Sequence, residues 1–364
     1  MRKISLYLML LTSAAFIASC DKPNVQLHTT IHEDGWCDRE VSYHTVMSKE
    51  DRDSLWGKDQ VAWAQPLPEC VNTDAFMGSH TDVDGDTVTT TFSHSFNSVE
   101  EMCKMTPLNL NGSRIKSEAS LEKRFRWFYT EYTYTETFFS VADSFKIPTS
   151  NYADKDVISY WFTGQPNLMQ GLTGAEVSQR ISKMEHQVDQ WVNDNLYQSY
   201  FEYMVDHYDS IPNPPVSKEQ FVALRDSMYH YIISKYDSGL NFEGQDCYKE
   251  FFHSDAYADF FDDETPLGKG LDDQLTAQYE GIFTFDVPYV LTMPGTVWNP
   301  GTGVIKDGDI YYQLTGERLI PGDYTITATS RVTNIWAYVV TLLVIGLALF
   351  LFFVSSVFKK KHAE

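Results

Sequence analysis

Val25-Gln26-Leu27-His28-Thr29-Thr30-Ile31-His32-Glu33-Asp34-Gly35-Trp36-Cys37-Asp38-Arg39-Glu40-Val41-Ser42-Tyr43 is the stretch from which the fold is read. Val25, Leu27, Thr29 and Ile31 alternate with polar neighbours, the period-two pattern of a strand with one buried face. Glu33-Asp34-Gly35 then turns the chain. With Gly35 left-handed, a three-residue loop pairs Ile31 with Cys37, Leu27 with Val41 and Val25 with Tyr43 on one face, whereas a two-residue turn would oppose Ile31 to Asp38. The longer loop is the one predicted.

Strand pattern continues downstream. Ser48 and Asp51 resemble a capping box opening a short helix, and the segment from Trp56 to Asn72, with Pro66 and Pro68, reads as connection. A second hairpin joins Thr81–Val83 to Thr87–Phe96 around Asp84-Gly85. Ser98 and Glu101 cap a short helix through Met105. Asn111-Gly112 then turns into one long strand carrying Phe125, Trp127, Phe128, Tyr132, Tyr134 and Phe138, because Thr and aromatic residues favour sheet.

After Ala142 the period becomes helical. Thr173 and Glu176 cap a helix with a stripe through Val177, Ile181, Met184, Val188, Trp191, Leu196, Tyr200 and Met204. Ile211-Pro212-Asn213-Pro214-Pro215 breaks it. Ser217 and Gln220 cap a second helix with Phe221, Leu224, Met228, Ile232 and Tyr236 inward, and a third lies around Cys247 to Phe261. Sheet pattern returns at about Gly281, with strands near Val290, at Thr302–Lys306, Ile310–Leu314 and Tyr324–Val332. The first and last β segments are expected to share one sheet, since neither has enough strands for a core.

The two ends of the chain point to a membrane. Ile335 to Phe358 is a run of 24 residues without a charge, followed by Lys359, Lys360 and Lys361. At ~1.5 Å per residue it is ~36 Å long, enough to cross a hydrocarbon layer of ~30 Å as a helix. The lysines predict a cytoplasmic C-terminus. Arg2 and Lys3, the apolar run to Ile17 and Ala18-Ser19-Cys20 read as a secretory signal with a lipobox, Cys20 being the acylated (palmitate-type) residue. Asp21 suits retention in the bacterial inner membrane, with the intervening domain facing the periplasm or cell exterior.

The chain carries a net charge of −22, which excludes nucleic acid as a partner. Its 15% aromatic content and length allow a substantial core. With Cys20 acylated, Cys37, Cys70, Cys103 and Cys247 remain, and four thiols allow three disulfide pairings. No zinc spacing, GxSxG, phosphate loop or HExxH is present, so no catalytic residue, metal site or cofactor is predicted. Asp82-Val83-Asp84-Gly85-Asp86 lacks the spacing of a calcium loop and reads as a turn.

Taken in order, the lipobox, the strand ending Ile31-His32-Glu33-Asp34-Gly35, Phe96-Asn97-Ser98-Val99-Glu100-Glu101 opening a helix, Met293-Pro294-Gly295-Thr296-Val297, Asp307-Gly308-Asp309-Ile310-Tyr311 and the closing apolar helix resemble LppM-like bacterial lipoproteins. The likeness spans roughly residues 20–142 and 278–360. It implies a membrane-anchored α+β fold with a curved antiparallel sheet, and a lipid- or glycolipid-binding role rather than an activity. The helical segment departs from that pattern.

The expected architecture is therefore a signal (1–19), a β-rich ectodomain in two parts (20–142 and 278–334), a helical insertion (143–277), a transmembrane helix (335–358) and a cytoplasmic tail (359–364). The expected function is non-enzymatic binding of a lipid-like ligand or an envelope protein partner. A structural scaffold and an envelope hydrolase are the alternatives. Trp127, Phe128, Tyr132 and Tyr134 place bulky side chains on both faces of their strand. Helices bearing Trp191 and Tyr200 are expected to cover the second face, leaving an apolar cleft where helices meet sheet.

Overall fold

The computed structural model describes residues 25–50, 52, 67–76, 78–235 and 244–361. The expected signal through residue 19, Cys20, Asp51, Tyr236 and most of the connection beginning at Trp56 lie outside the described residues. In chain order the strands are β1 (Val25–Ile31), β2 (Cys37–Val46), β3 (Gly78–Asp84), β4 (Thr87–Phe96), β5 (Asn109–Leu110), β6 (Ser113–Arg114), β7 (Ser117–Arg126) and β8 (Tyr129–Phe138), then β9 (Asp286–Thr292), β10 (Thr296–Asn299), β11 (Val304–Lys306), β12 (Asp309–Thr315) and β13 (Tyr324–Thr333). The α-helices are α1 (Val99–Cys103), α2 (Lys155–Thr163), α3 (Gly174–Asp206), α4 (Lys218–Ala223), α5 (Arg225–Lys235), α6 (Gly244–Phe252), α7 (Pro266–Leu275), α8 (Gly281–Thr284) and α9 (Ile335–Lys361).

The opening hairpin has the predicted register: Ile31 faces Cys37, Leu27 faces Val41 and Val25 faces Tyr43. Gly35 stands at φ +100°, and the narrow loop is closed by His32 N–H donating to Trp36 O at 2.9 Å. The second hairpin closes Asp84 against Thr87 around Gly85-Asp86, so Asp86 is a turn residue while Asp82 and Asp84 belong to β3.

Among the described residues two large sheets are present where one was expected, beside a two-stranded ribbon of β5 and β6. The larger runs β11-β12-β9-β1-β2-β4-β3 and the smaller β10-β13-β8-β7, with only β1 and β9 parallel. In both, strands from after the helical segment adjoin strands from before it at one seam, β9 beside β1 and β13 beside β8, so the two parts of the β domain complete each other. The expected long strand is also two: β7 and β8 pair antiparallel from Ser117–Phe138 to Arg126–Tyr129, with Trp127-Phe128 as the turn. Along β8 burial alternates strictly, so Tyr132, Tyr134, Glu136 and Phe138 share one face, which the larger sheet covers. The opposite face carries threonines.

The sheets face each other across a buried ion pair. Arg39 of β2 and Glu136 of β8 are both 0% exposed, with Nη1 to Oε1 at 3.1 Å and Nη2 to Oε2 at 2.7 Å. Glu136 also accepts from Ser117 Oγ at 3.0 Å, Tyr134 OH at 2.7 Å and Tyr289 OH at 2.9 Å, while Arg39 Nε donates to Thr29 Oγ1 at 3.1 Å. Burial by itself raises the Glu136 pKa. The guanidinium of Arg39 and the Tyr134 and Tyr289 hydroxyls outweigh it and hold the carboxyl below the usual range.

Helices fill the segment between β8 and β9, longer at its C-terminal end than the sequence pattern suggests, since Gly281–Thr284 is helical and strand begins only at Asp286. The Thr173 and Ser217 capping boxes both form. Leu224 interrupts the predicted second helix between α4 and α5. α3 serves two cores: Val188, Trp191 and Val192 pack with the sheets, whereas Tyr200, Phe201 and Met204 join Phe221, Tyr248, Tyr257 and Phe260 in a second core inside the helical block. Cys37, Cys70, Cys103 and Cys247 are all thiols, and burial pushes Cys37 and Cys103 up to about 12. α9 is long and apolar enough to cross a membrane, with almost none of its surface packed on the rest of the chain.

Removing one partner of a buried pair strands the other charge, so Glu136→Gln is expected to cost about 3–5 kcal/mol, and the double variant Arg39→Met/Glu136→Leu far less. Equal losses in denaturant unfolding would refute this coupling. The folded carboxyl titrates below its ordinary 4.5, so the pair's contribution is complete above that pH and is lost as pH falls through the depressed value. Glu136→Gln should flatten that acid limb.

Candidate functional site

Two places in the β domain bring side chains together beyond the needs of packing, and they lie at opposite ends of the β7–β8 hairpin. The first is the tip, where the β domain meets α9. β13 ends at Thr333, and Asn334 is the single residue between sheet and helix. Its backbone N–H donates to Phe128 O at 2.9 Å, its Nδ2 donates to Arg126 O at 2.9 Å and Trp127 O at 3.3 Å, and its Oδ1 accepts from Thr130 Oγ1 at 3.1 Å. Asn334 O in turn accepts from Ala337 N–H at 2.9 Å, starting the helix. One asparagine thus ties turn, strand and helix together.

Rings reinforce the joint. Phe125 stacks on Trp336 at 6.2 Å and 7°, Trp127 meets Trp336 edge-on at 5.3 Å, and Phe128 lies 4.7 Å from Tyr338. Trp127 Nε1 donates to Thr341 Oγ1 at 2.9 Å, a second turn into α9. Ala337 is fully buried beneath the tip. Its methyl group permits this approach.

The second place is a cleft of about 480 Å³ at the far end of the same hairpin, where the sheet meets the helical block. Leu110, Ile115, Phe139 and Val141 give it apolar walls. Arg114 and Lys116 give it two cations and Asp143 one carboxylate, and Arg114 lies 3.8 Å from Asp74 Oδ2. Arg114 is steadied by Asn72 Oδ1 at 2.8 Å. The helical side comes from Ala277 and Gln278, within a π-helical turn, Thr276–Glu280, a distortion common at functional sites. Asn111 Nδ2 donates to Gln278 O at 2.8 Å and Gln278 Nε2 to Ser144 O at 3.0 Å. Gly281 makes this seam possible, because a Cβ there would fall 1.9 Å from Asn111 Oδ1.

The six aromatic residues singled out from sequence do not share one cleft. Trp127 and Phe128 belong to the tip. Tyr132 reaches the opening hairpin, its OH donating to Glu33 O at 3.0 Å, and Tyr134 belongs to the Glu136 network. Trp191 donates to Ile147 O at 2.8 Å and packs on Phe145 at 4.5 Å, closing the end of the sheet core. Tyr200 lies in the second core. Cleft residues Arg114, Lys116 and Gln278 were not singled out, since the cleft is assembled from three separated segments. Among the described residues no group of three or more His, Cys, Asp or Glu is placed to hold a metal ion.

No family model, no curated protein and no solved structure matches this chain.

Asn334→Ala removes three side-chain hydrogen bonds at the joint, each worth about 1 kcal/mol net. Hydrogen exchange in phospholipid nanodiscs is expected to speed up at amides 126–130 and 334–337 while 117–121 keep their protection. Unchanged exchange at the tip would show that the ring contacts alone hold it.

Proposed function

We propose that this chain is a non-enzymatic, membrane-anchored protein of a bacterial cell envelope, whose ectodomain holds a lipid-like ligand in the cleft between sheet and helical block. The observation that carries the reading is the placement of that cleft relative to α9. Lys116 and Phe139 flank the open end of the hairpin and Trp127-Phe128 form its closed end, ten residues away along β7. At ~3.3 Å per residue the cleft stands up to ~33 Å from the joint. A ligand there has left the bilayer. Apolar walls beside Arg114 and Lys116 suit an amphiphile with an anionic head, in a chain that is otherwise strongly acidic.

The motif order shared with LppM-like lipoproteins supports the same role, as does the apolar helix that ends the chain. In this reading Cys20 is acylated, the inner membrane holds both anchors, the ectodomain faces the periplasm or cell exterior, and the C-terminus is cytoplasmic. A scaffold would need no cleft, and a hydrolase would consume what it binds.

The test uses the full chain in nanodiscs, exposed to extracted envelope lipids, washed, and eluted for mass spectrometry. A lipid retained at stoichiometric level and recovered intact is expected, with retention lost in Arg114→Ala/Lys116→Ala. Recovery of cleaved products makes the protein a hydrolase; no retention makes it a scaffold.

Anchoring is tested separately. Cys20→Ser is expected to abolish acyl labelling while the chain stays in the membrane, and a reporter active only in the cytoplasm should work when fused after Glu364. Surviving label, or a silent reporter replaced by an active export-dependent one, would reverse those assignments.

A further inference from the structure

The joint between hairpin and helix leaves large apolar side chains uncovered. Phe125 is 59% exposed, Trp127 46%, Phe128 39%, Ile335 73% and Trp336 51%. Five such residues side by side make a patch of the kind that soluble surfaces avoid. Their position along α9 says what covers them. A hydrocarbon layer of about 30 Å takes about twenty residues of helix, and counting back from Phe358, the last residue before Lys359, puts its outer boundary near Val339. Trp336 and Tyr338 then fall in the headgroup layer. Thr341 lies about 3 Å inside the boundary, and Trp127 is hydrogen-bonded to it. Placing the span on Ile335–Val354 sinks the tip further.

We infer that the tip of the β7–β8 hairpin is a second membrane contact, seated in the headgroup layer of the leaflet that α9 enters and touching its phospholipids with Phe125, Trp127 and Phe128. The inference rests on the reading of α9 as a transmembrane helix. Trp and Tyr prefer this layer because an apolar ring and a polar N–H or O–H are both satisfied there. Arg126, the last residue of β7, has an exposed side chain at the level of the phosphates. Arg124, one pair higher on that face, is engaged by Glu122 at 2.8 Å, which leaves Arg126 as the cation that meets the lipid. The acidic bulk of the chain stands above, away from the headgroups that repel it.

The full chain in nanodiscs of phosphatidylethanolamine and phosphatidylglycerol tests this. The variants are Phe125→p-benzoylphenylalanine, Phe128→p-benzoylphenylalanine and, as a distal reference, Val46→p-benzoylphenylalanine at the far end of β2, where Val46 is 75% exposed. Illumination is expected to give phospholipid adducts at 125 and 128 and none at 46. Cross-links between two copies of the chain, or no adduct from a chain that resists alkaline carbonate extraction, would overturn the inference while leaving the anchor intact. A chain stripped by carbonate overturns both. In the unmodified chain, a headgroup spin-labelled phospholipid should broaden the amide signals of 125–130 and spare those of 87–90; equal broadening, or none, would also refute it.

Discussion

The contact on which the architecture depends is the buried pair of Arg39 and Glu136. Neither side chain touches water, and taking two charges into such a place costs several kcal/mol per ion unless every donor and acceptor is met. Here they are met: Glu136 accepts two bonds from Arg39 and one each from Ser117, Tyr134 and Tyr289, with Thr29 taking the remaining Arg39 Nε donor. Those six partners come from β1, β2, β7, β8 and β9, so only one placement of the two sheets satisfies them all. A slip of one residue along β8 would put Thr135 or Thr137 in the site and leave Arg39 unpaired. The same slip would turn Tyr132, Tyr134 and Phe138 out of the core, so packing and network demand one register.

From that placement the direction of β7 and β8 follows. Their inner face is committed to the core through Tyr132, Tyr134 and Glu136. On the outer face, β8 and its neighbour β13 meet through facing hydroxyls, Thr133 with Thr329 at 3.4 Å, Thr135 with Thr327 at 3.4 Å and Thr137 with Thr325 at 2.9 Å. A face of this kind stays wet, which is why the four-stranded sheet needs no third layer. The helical block therefore caps the end of the core rather than covering a sheet face. Trp191 and Phe145 do this together, while the C-terminal half of α3 builds a core of its own.

How much of this the sequence discloses depends on how local its cause is. The first hairpin is legible to the residue, because alternation and the demand for a left-handed Gly35 act within nineteen positions. So are the boxes at Thr173 and Ser217. Arg39 is legible in hindsight: once Ile31 faces Cys37, Thr29 faces Arg39 on the apolar face, and a lone arginine there demands a partner. Glu136 among Tyr132, Tyr134 and Phe138 is its counterpart. The β7–β8 turn is not legible by the usual rules, since Trp127-Phe128 contains no glycine, proline or asparagine. Its rings answer to the joint with α9, a contact more than two hundred residues away in sequence, and sheet propensity misreads them. The parallel pairing of β1 with β9 and the cleft assembled from three segments are equally distant in cause.

The joint then changes what the β domain is mechanically. A domain on a flexible linker samples many heights and orientations, and each binding event must select among them. This one has a linker of a single residue, and that residue is bonded to the hairpin by its backbone and both side-chain atoms. β13 runs unbroken from Tyr324 to Thr333 alongside the whole of β8, so the sheet that carries the cleft at one end is the sheet that carries the helix at the other. Tilting α9 must tilt the cleft, and ordering the cleft end must restrain α9. The Arg39–Glu136 network lies between the two ends and couples the second sheet to the same motion. The orientation of the cleft relative to α9 is thus a property of the fold itself, established when the sheets lock.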